Sequence, residues 1–311
     1  MNKTGITAFA LALLLARPVF PWGDDGHRLV ARIAARQLNA TTRAKIVDLL
    51  RHAPDDDLKL IELIGASGPV SDSVVEEALA RIATWPDHMP GGRNVSAPWH
   101  YVDIALFESP GPDNRNLKMR CADDCIVWAI PQLQQHLAAN QSLGKFTPDQ
   151  ELRFLVHFLG DIHQPLHTVL NADGAGNCIP VTNNKDSNKL HGLWDTGLVR
   201  RMLAQAGTDP VAGILADHQT DHDQVARNLD PERIAADSFA LAARIYETAG
   251  IPTIPKFASF ATSRCQQEAP PEILNARVDA RVFEKDSDQL IRSQLYKAGT
   301  RLAEILNRIF R

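Results

Sequence analysis

Residues 148–167 read PDQELRFLVHFLGDIHQPLH, and this stretch contains both a helix signal and a chemical one. Its apolar spacing predicts a helix over 148–162. Within that helix, His157 and Asp161 are four positions apart, which places both side chains on one face. A proline then ends the helix, so His167 follows on a turn and can fold back towards the same place. The stretch therefore predicts a helix whose end presents histidine and aspartate to a shared metal ion.

Apolar residues recur at three- and four-residue steps through most of the remaining chain, which indicates a largely helical protein. The pattern predicts further helices over 27–38, 42–51, 73–84, 123–140, 232–248 and 285–310. Strand signals are few, and Trp99–Leu106 is the best candidate for an extended segment. Turn-rich stretches are interpreted as loops within one domain, because none has the low complexity of a long linker; they are 90–98, 108–116, 171–188 and 250–272.

Composition bounds the size of the core and the kind of partner. The chain has 311 residues, of which 44% are hydrophobic, so it can bury a full core in one large domain or two ordinary ones. Its 33 basic and 37 acidic residues nearly balance. A protein that grips duplex DNA through its phosphates needs a broad basic surface, which this balance excludes. Any contact with nucleic acid must be local.

The first residues and the cysteines indicate export. Lys3 precedes an apolar run that is too short to span a bilayer, so residues 1–21 are predicted to be a signal peptide with an open cleavage point. A secreted or periplasmic location follows. Four cysteines are expected to pair in such a compartment, and three pairings are possible. Proximity along the chain favours Cys121 with Cys125, which leaves Cys178 with Cys265.

Histidine and aspartate recur at the same four-residue step in LHGLWD, at His191 and Asp195. A third pair, His52 and Asp56, spans a proline and is expected to be coincidental. Two interpretations of the other pairs remain open. They are either histidines hydrogen-bonded to carboxylates in an ordinary core, or ligands of a metal ion. Histidine and aspartate without cysteine suit a catalytic zinc site.

Two upstream segments add the same residue types. Trp85-Pro86-Asp87 is followed by Trp99-His100-Tyr101-Val102-Asp103, and Trp22-Gly23-Asp24-Asp25-Gly26-His27 stands at the front. A free α-amine titrates near pH 8. If Trp22 becomes the mature amino terminus, its amine and carbonyl can therefore chelate a metal ion.

Taken in order, the motifs WGxxGH, WxD, HYxD, HFxGDxHQPLH and LHxxWD resemble those of the S1/P1 nuclease family, zinc nucleases related to zinc-dependent phospholipase C. The resemblance runs from Trp22 to about Asp195. It implies an all-α, single multi-helix domain over 22–311, with long loops and a short extended segment. It also implies a monomeric endonuclease that hydrolyses single-stranded DNA and RNA to 5′-nucleotides by a metal-bridging hydroxide. Whether it also has 3′-nucleotidase activity is left open.

The resemblance assigns site residues by matched position. Three Zn²⁺ ions would be held by Trp22, His27, Asp87, His100, His157, Asp161, His167, His191 and Asp195. Asp87 is also the expected catalytic residue, which orients the attacking water. Tyr101 would stack on a base and Asp103 would bind the edge of that base; core packing remains the alternative for Tyr101, and orientation of a ligand histidine for Asp103. His163 is on a helix face turned away from His157 and is expected to support the ligands or to be structural.

The chain departs from the family in two places: Pro86 stands where alanine is usual, and Pro21 precedes Trp22. Processing after Ala16 would leave five residues that block the α-amine. Two alternatives to the nuclease also remain. One is a zinc-dependent phospholipase C acting on lipid head groups, although no basic amphipathic helix or exposed aromatic run near the ligands suits a membrane. The other is a non-enzymatic zinc-binding protein.

Overall fold

The computed structural model describes residues 22–53, 58–89, 96–108, 121, 124–141, 143–256, 259 and 264–311. Within these ranges the chain forms one mostly helical domain, which confirms the predicted all-α class. The predicted signal peptide at 1–21 and Asp56 lie outside the described residues.

Helices dominate the described part of the chain. They are α1 (Asp24–Ala35), α2 (Ala40–Arg51), α3 (Leu60–Ile64), α4 (Asp72–Ile82), α5 (Trp85–His88), α6 (Ile126–Ala139), α7 (Pro148–Asp161), α8 (Leu198–Gln205), α9 (Pro210–Asp217), α10 (His222–Arg227), α11 (Pro231–Thr248), α12 (Cys265–Glu268), α13 (Pro271–Leu274) and α14 (Ser287–Ile309). Short helical turns lie at Ala97–His100, Pro165–Thr168, Leu190–Gly192, Leu193–Gly197, Gln219–Asp221 and Ala280–Phe283. Two short strands, β1 (Val181–Thr182) and β2 (Val278–Asp279), pair in parallel.

The seven helices predicted from periodicity are all present, with ends displaced by up to three residues. The extended segment is only partly confirmed. Trp99 and His100 belong to a 3-10 turn, and the extended chain begins at Tyr101. From there Ala105 bridges Leu170 in parallel, so this segment is held beside the chain that follows α7. Two stretches predicted as loops contain short elements: β1 lies within 171–188, and α12 lies within 250–272.

Helix α7 is the centre of the fold. Pro148 occupies its first turn, and the main-chain N–H of Thr147 donates to Gln150 Oε1 at 3.1 Å, which caps the amino-terminal end. All its residues except Pro148 and Gln150 are buried, because α1, α4, α5, α6 and α14 pack around it. A helix surrounded in this way carries its polar side chains into the core, where they need partners.

Helices α1 and α14 pack closely against each other and form one side of the core. The contact depends on Gly299, since a Cβ there would lie 2.4 Å from Cγ2 of Ile33. This approach fixes α1 against the central helices, and α1 in turn positions the residue at its first turn, His27.

Both favoured disulfides are confirmed. Cys121 is bonded to Cys125, and Cys178 is bonded to Cys265 across 87 positions. The second bond ties the loop before β1 to α12. Among the described helices, none combines the length and the apolar character that crossing a membrane requires.

Candidate metal centre

Asp161, at the carboxyl-terminal end of α7, lies at the centre of a cluster of imidazoles. Its Oδ1 lies 3.3 Å from His27 Nε2, and its Oδ2 lies 2.9 Å from His100 Nδ1 and 3.2 Å from His157 Nε2. Asp161 itself is completely buried. One carboxylate therefore contacts histidines from three separate segments, α1, the Ala97–His100 turn and α7.

Asp87, on α5, joins the same cluster from the other side. Its Oδ1 lies 3.8 Å from His157 Nε2 and 3.9 Å from His100 Nδ1. The Asp87 side chain is buried, with 2% of it exposed, so its carboxylate faces the cluster.

Main-chain carbonyl groups orient most of the imidazoles. Nδ1 lies at hydrogen-bonding distance from a carbonyl oxygen in three of them: 2.7 Å from Ala83 for His157, 2.8 Å from His100 for His167, and 2.7 Å from Ala175 for His191. A carbonyl can only accept, so each Nδ1 carries a proton, which leaves Nε2 as the nitrogen that can face a metal ion. This is the arrangement in which the second nitrogen of a histidine binds a metal ion.

His27 reaches the cluster because position 160 is a glycine. The His27 ring stacks on that of His157, with centroids 3.8 Å apart. A Cβ on Gly160 would lie 2.7 Å from His27 Nδ1, so any larger residue would displace the ring. Neither ring nitrogen of His27 makes a hydrogen bond within the described part of the chain, although the side chain is buried.

A second cluster forms beside the first from His167, His191 and Asp195. Ligand atoms of these three residues lie within 4.8 Å of one another, and His191 Nε2 is 3.4 Å from Asp195 Oδ2. The four-residue step is not on a regular α-helix here. Asp195 lies in the π-helical turn Leu193–Gly197, a wider turn that is frequent at functional sites.

The charge states within the first cluster suit a cation. Burial alone would raise the pKa of Asp161, but the charge on His157 and the hydrogen bonds from the imidazoles hold it well below its usual range. Burial lowers the pKa of His100, and burial together with His157 lowers the pKa of His27. For His157, the charges of Asp161 and Asp87 outweigh burial and raise the pKa. The cluster thus combines an ionised carboxylate with imidazoles that are mostly neutral.

Trp22 lies two positions before the first residue of α1, and its side chain is completely buried. The main-chain N–H of His27 donates to its carbonyl oxygen at 3.3 Å, so the main chain of Trp22 lies one helical turn before His27. Trp22 has a φ angle of 26°, which non-glycine residues rarely adopt.

Tyr101 and Asp103 alternate along the extended segment with Val102 and Ile104. Val102 and Ile104 are buried, so the other two side chains point away from the core. Tyr101 is 39% exposed. Burial raises the pKa of the half-buried Asp103 despite a hydrogen bond with Ser259.

The structure brings all eight predicted side-chain ligands into three groups, in each of which the ligand atoms lie within 4.8 Å of one another. The groups are His27, Asp87 and His157; His100, His157 and Asp161; and His167, His191 and Asp195. Buried histidine and aspartate without cysteine match the donor set of catalytic zinc, and the hydrogen-bond-free nitrogens of the buried His27 need a partner that a cation supplies. The residues therefore fit metal ions.

Gln164 and Asp173 also support the site, although neither was predicted from the sequence. Gln164 Nε2 donates to Asp195 Oδ1, and its Oε1 accepts from the main-chain N–H of Leu166, so it fixes the Asp195 carboxylate. Asp173 accepts a hydrogen bond from Tyr246 at 2.7 Å and organises the turn that presents the Ala175 carbonyl to His191. The position of Gln164 inside HQPLH was a usable signal, whereas nothing in the sequence marked Asp173.

The chain matches a known protein family and several of its members. The model of the S1/P1 Nuclease family matches residues 22–311. The chain is 26% identical to Endonuclease 2 of Arabidopsis thaliana over 65% of this chain, which is 65% of that protein's length and so less than two thirds of it. It is 28% identical to Nuclease P1 of Penicillium citrinum over 93% of this chain and 97% of that protein. With Nuclease S1 of Aspergillus oryzae the identity is 30%, over 61% of this chain and 58% of that protein.

Proposed function

Because the chain belongs to the S1/P1 nuclease family, we propose that it hydrolyses phosphodiester bonds in single-stranded DNA and RNA at a centre of three zinc ions. The proposal depends on one observation, the convergence of eight histidine and aspartate side chains from distant segments into adjacent groups. Burying so many titratable groups together is unfavourable unless they are paired or bind cations.

Each of the three ions would be bound by its own set of residues, with one residue shared. One ion would take the amine and carbonyl of Trp22 with His27, and its neighbour would take Asp87, His100 and His157, with Asp161 shared between the two. The third would take His167, His191 and Asp195. The contacts of Asp161 with His27 on one oxygen, and with His100 and His157 on the other, support its bridging role.

Bound zinc would supply Lewis acidity, lowering the pKa of water towards neutrality and stabilising charge on the departing 3′ oxygen. The chain positions the reactants. Asp87, whose carboxylate lies beside His157 and His100, accepts a hydrogen bond from the attacking water and aligns it with the phosphorus. The main-chain carbonyls behind His157, His167 and His191 keep those rings oriented during the reaction. The 3′ oxygen departs with the upstream piece of the strand, and the phosphate remains on the 5′ oxygen of the downstream piece. The products are therefore 5′-nucleotides.

Tyr101 and Asp103 give the proposed preference for single strands. Both project from one face of the extended segment that begins next to His100, so a base can stack on the exposed ring of Tyr101. A protonated or hydrogen-bonding carboxyl at Asp103 then contacts the edge of that base. A paired base offers neither its face nor its edge, which excludes intact duplex.

A free amine on Trp22 requires removal of residues 1–21. The two disulfides support an oxidising, secreted or periplasmic location. The enzyme is proposed to act as a monomer.

The test uses the exported, mature protein. We expect an amino-terminal Trp22, three zinc ions per chain by mass spectrometry of metals, and cleavage of single-stranded oligonucleotides faster than of duplexes. Parallel assays with a nucleoside 3′-monophosphate and with phosphatidylcholine vesicles examine the 3′-nucleotidase and phospholipase activities.

The Asp87→Asn variant should retain zinc and lose most of its turnover, whereas Asp48→Asn, at an exposed position on α2, should match the wild type. Bound zinc without turnover in the wild type would instead favour a non-enzymatic zinc-binding protein, and hydrolysis of the vesicles alone would favour the phospholipase.

A further inference from the structure

A cavity of about 1060 Å³ lies where α10, α11 and α14 meet, and none of the predicted metal ligands lines it. Its wall on α14 includes Lys297 and Arg301, and its wall on α11 includes Asp237. The cavity is therefore a feature separate from the candidate metal centre, formed by the carboxyl-terminal part of the chain.

The floor of the cavity carries two cations. Asp237 attracts both of them and Asp221 also attracts Lys297, but neither carboxylate forms a close ion pair with these cations. Arg301 is 4% exposed; its Nη1 donates to His163 Nε2 at 2.7 Å, and its buried Nε makes no hydrogen bond within the described part of the chain. Lys297 is half-buried, and its Nζ approaches only Gln294 Oε1, at 3.5 Å. Among the described residues, neither cation forms an ion pair. Buried charges are normally paired, so this floor is incomplete as it stands.

Acidic residues also line the cavity, but they lie at a different depth. All four are exposed: Asp221, Asp223, Asp230 and Asp237. Asp223 lies 3.7 Å from Arg227, and Asp230 accepts the main-chain N–H of Glu232 at the start of α11. Water screens charges at an exposed rim far more than charges at a buried floor. The four exposed aspartates outnumber the two exposed arginines of the lining, Arg227 and Arg233, so the mouth is net negative whereas the floor is positive.

The protonation of the floor agrees with this description. Burial lowers the pKa of Arg301 to about 10 and also lowers the pKa of Lys297, because the charged forms are poorly solvated. His163 offers Arg301 a hydrogen-bond acceptor but no negative charge. An anion that enters the cavity would therefore be stabilised by the guanidinium.

We propose that this cavity is a second ligand site, which binds a phosphate group between Arg301 and Lys297. A guanidinium offers a planar fork of N–H donors and an ammonium offers a compact point charge, and the two together match the two negative charges of a phosphate at neutral pH. The phosphate is either inorganic phosphate or the terminal phosphate of a nucleotide. The exposed aspartates at the mouth accept hydrogen bonds from the rest of a nucleotide.

The test is isothermal titration calorimetry of the mature, metal-loaded protein with orthophosphate and, separately, with a nucleoside 5′-monophosphate. Lys297→Gln removes one cation without touching His163. We expect about tenfold weaker binding at one site, since a charge-assisted hydrogen bond is lost. Metal content should not change. Arg308→Gln is the matched control, because Arg308 is an exposed cation on the same helix that pairs with Glu304.

The outcomes separate the two sources of phosphate. Equal weakening for both ligands assigns the site to the phosphate group alone, and weakening confined to the monophosphate assigns it to a nucleotide. Isotherms of Lys297→Gln that match the wild type for both ligands would overturn the proposal, because any phosphate bound would then lie at the metal ions. No arm needs turnover, so the result stands apart from the outcome of the nuclease assay.

Discussion

Gly160→Ala adds a single methyl group at the place where α1 meets α7, and the structure gives its consequence directly. The new carbon would lie 2.7 Å from Nδ1 and 2.9 Å from Cε1 of His27, whereas ordinary contacts begin at 3.4 Å. The His27 ring must therefore move by about 0.7 Å, but the His157 ring stacked on it at 3.8 Å restricts where it can go. Overpacking of this kind costs about 1–3 kcal/mol.

Helix propensity and the steric clash change the stability of Gly160→Ala in opposite directions. Alanine is favoured over glycine inside a helix by about 0.5–1 kcal/mol, so a net loss of stability would come from the clash and not from the backbone. A displacement of about 0.7 Å also exceeds the roughly 0.2 Å tolerance of metal–ligand distances, so zinc affinity should fall at least about tenfold.

The assays are urea denaturation of the metal-free protein and zinc retention against a competing chelator. Gly207→Ala is the matched control, because a Cβ there meets nothing within 4 Å and the position has no left-handed φ angle. We expect Gly160→Ala to be destabilised by about 1–2 kcal/mol and to lose one zinc ion before the control does. Wild-type zinc retention in Gly160→Ala would refute the argument that His27 is a ligand held by this close approach.

Three further predictions concern other parts of the molecule. Burial raises the pKa of Asp173 to about 6, above its ordinary 3.8, so its protonated form stabilises the fold at low pH. The difference in unfolding free energy between the wild type and Asp173→Asn, measured by urea titration, should then fall by up to about 3 kcal/mol from pH 4 to pH 7. A difference that stays constant with pH would contradict this. Replacing Cys178 and Cys265 by serine opens a loop of 87 positions and should lower the free energy of unfolding by about 4 kcal/mol, against about 2 kcal/mol for loss of the short-range Cys121–Cys125 disulfide. Equal losses in thermal or urea unfolding would show that loop length does not set the stabilisation. Tyr101→Ala should raise the KM for a single-stranded oligonucleotide about tenfold with unchanged zinc content, and an unchanged KM would remove the stacking role.

The support behind the ligands explains why the site tolerates so much buried polarity. Gln164, Ala175 and Ala83 each satisfy the atom of a ligand that faces away from the proposed ions. Two of these three partners are main-chain carbonyls, which any residue type supplies. Their positions are therefore maintained by turns and packing, and substitutions that shift those turns should act on metal affinity without touching a ligand.

The sequence by itself determined the helices, the disulfide pairing favoured by proximity and the types of ligand, because these depend on local spacing. His157 and Asp161 are four positions apart, so they lie on one face of any helix that contains them. The apolar period predicted the ends of α7 to within one residue. The motif order also carried the family resemblance from Trp22 to Asp195.

Only the tertiary structure decided how the predicted ligands meet. His27 contacts Asp161 because α14 and Gly160 allow α1 to approach α7, and no spacing along the chain encodes that approach. The π turn that carries Asp195 and the burial of Arg301 beneath an open cavity likewise depend on packing between distant segments. Local periodicity fixes which face of a helix is apolar, but the partner that covers each face is selected by the whole core at once.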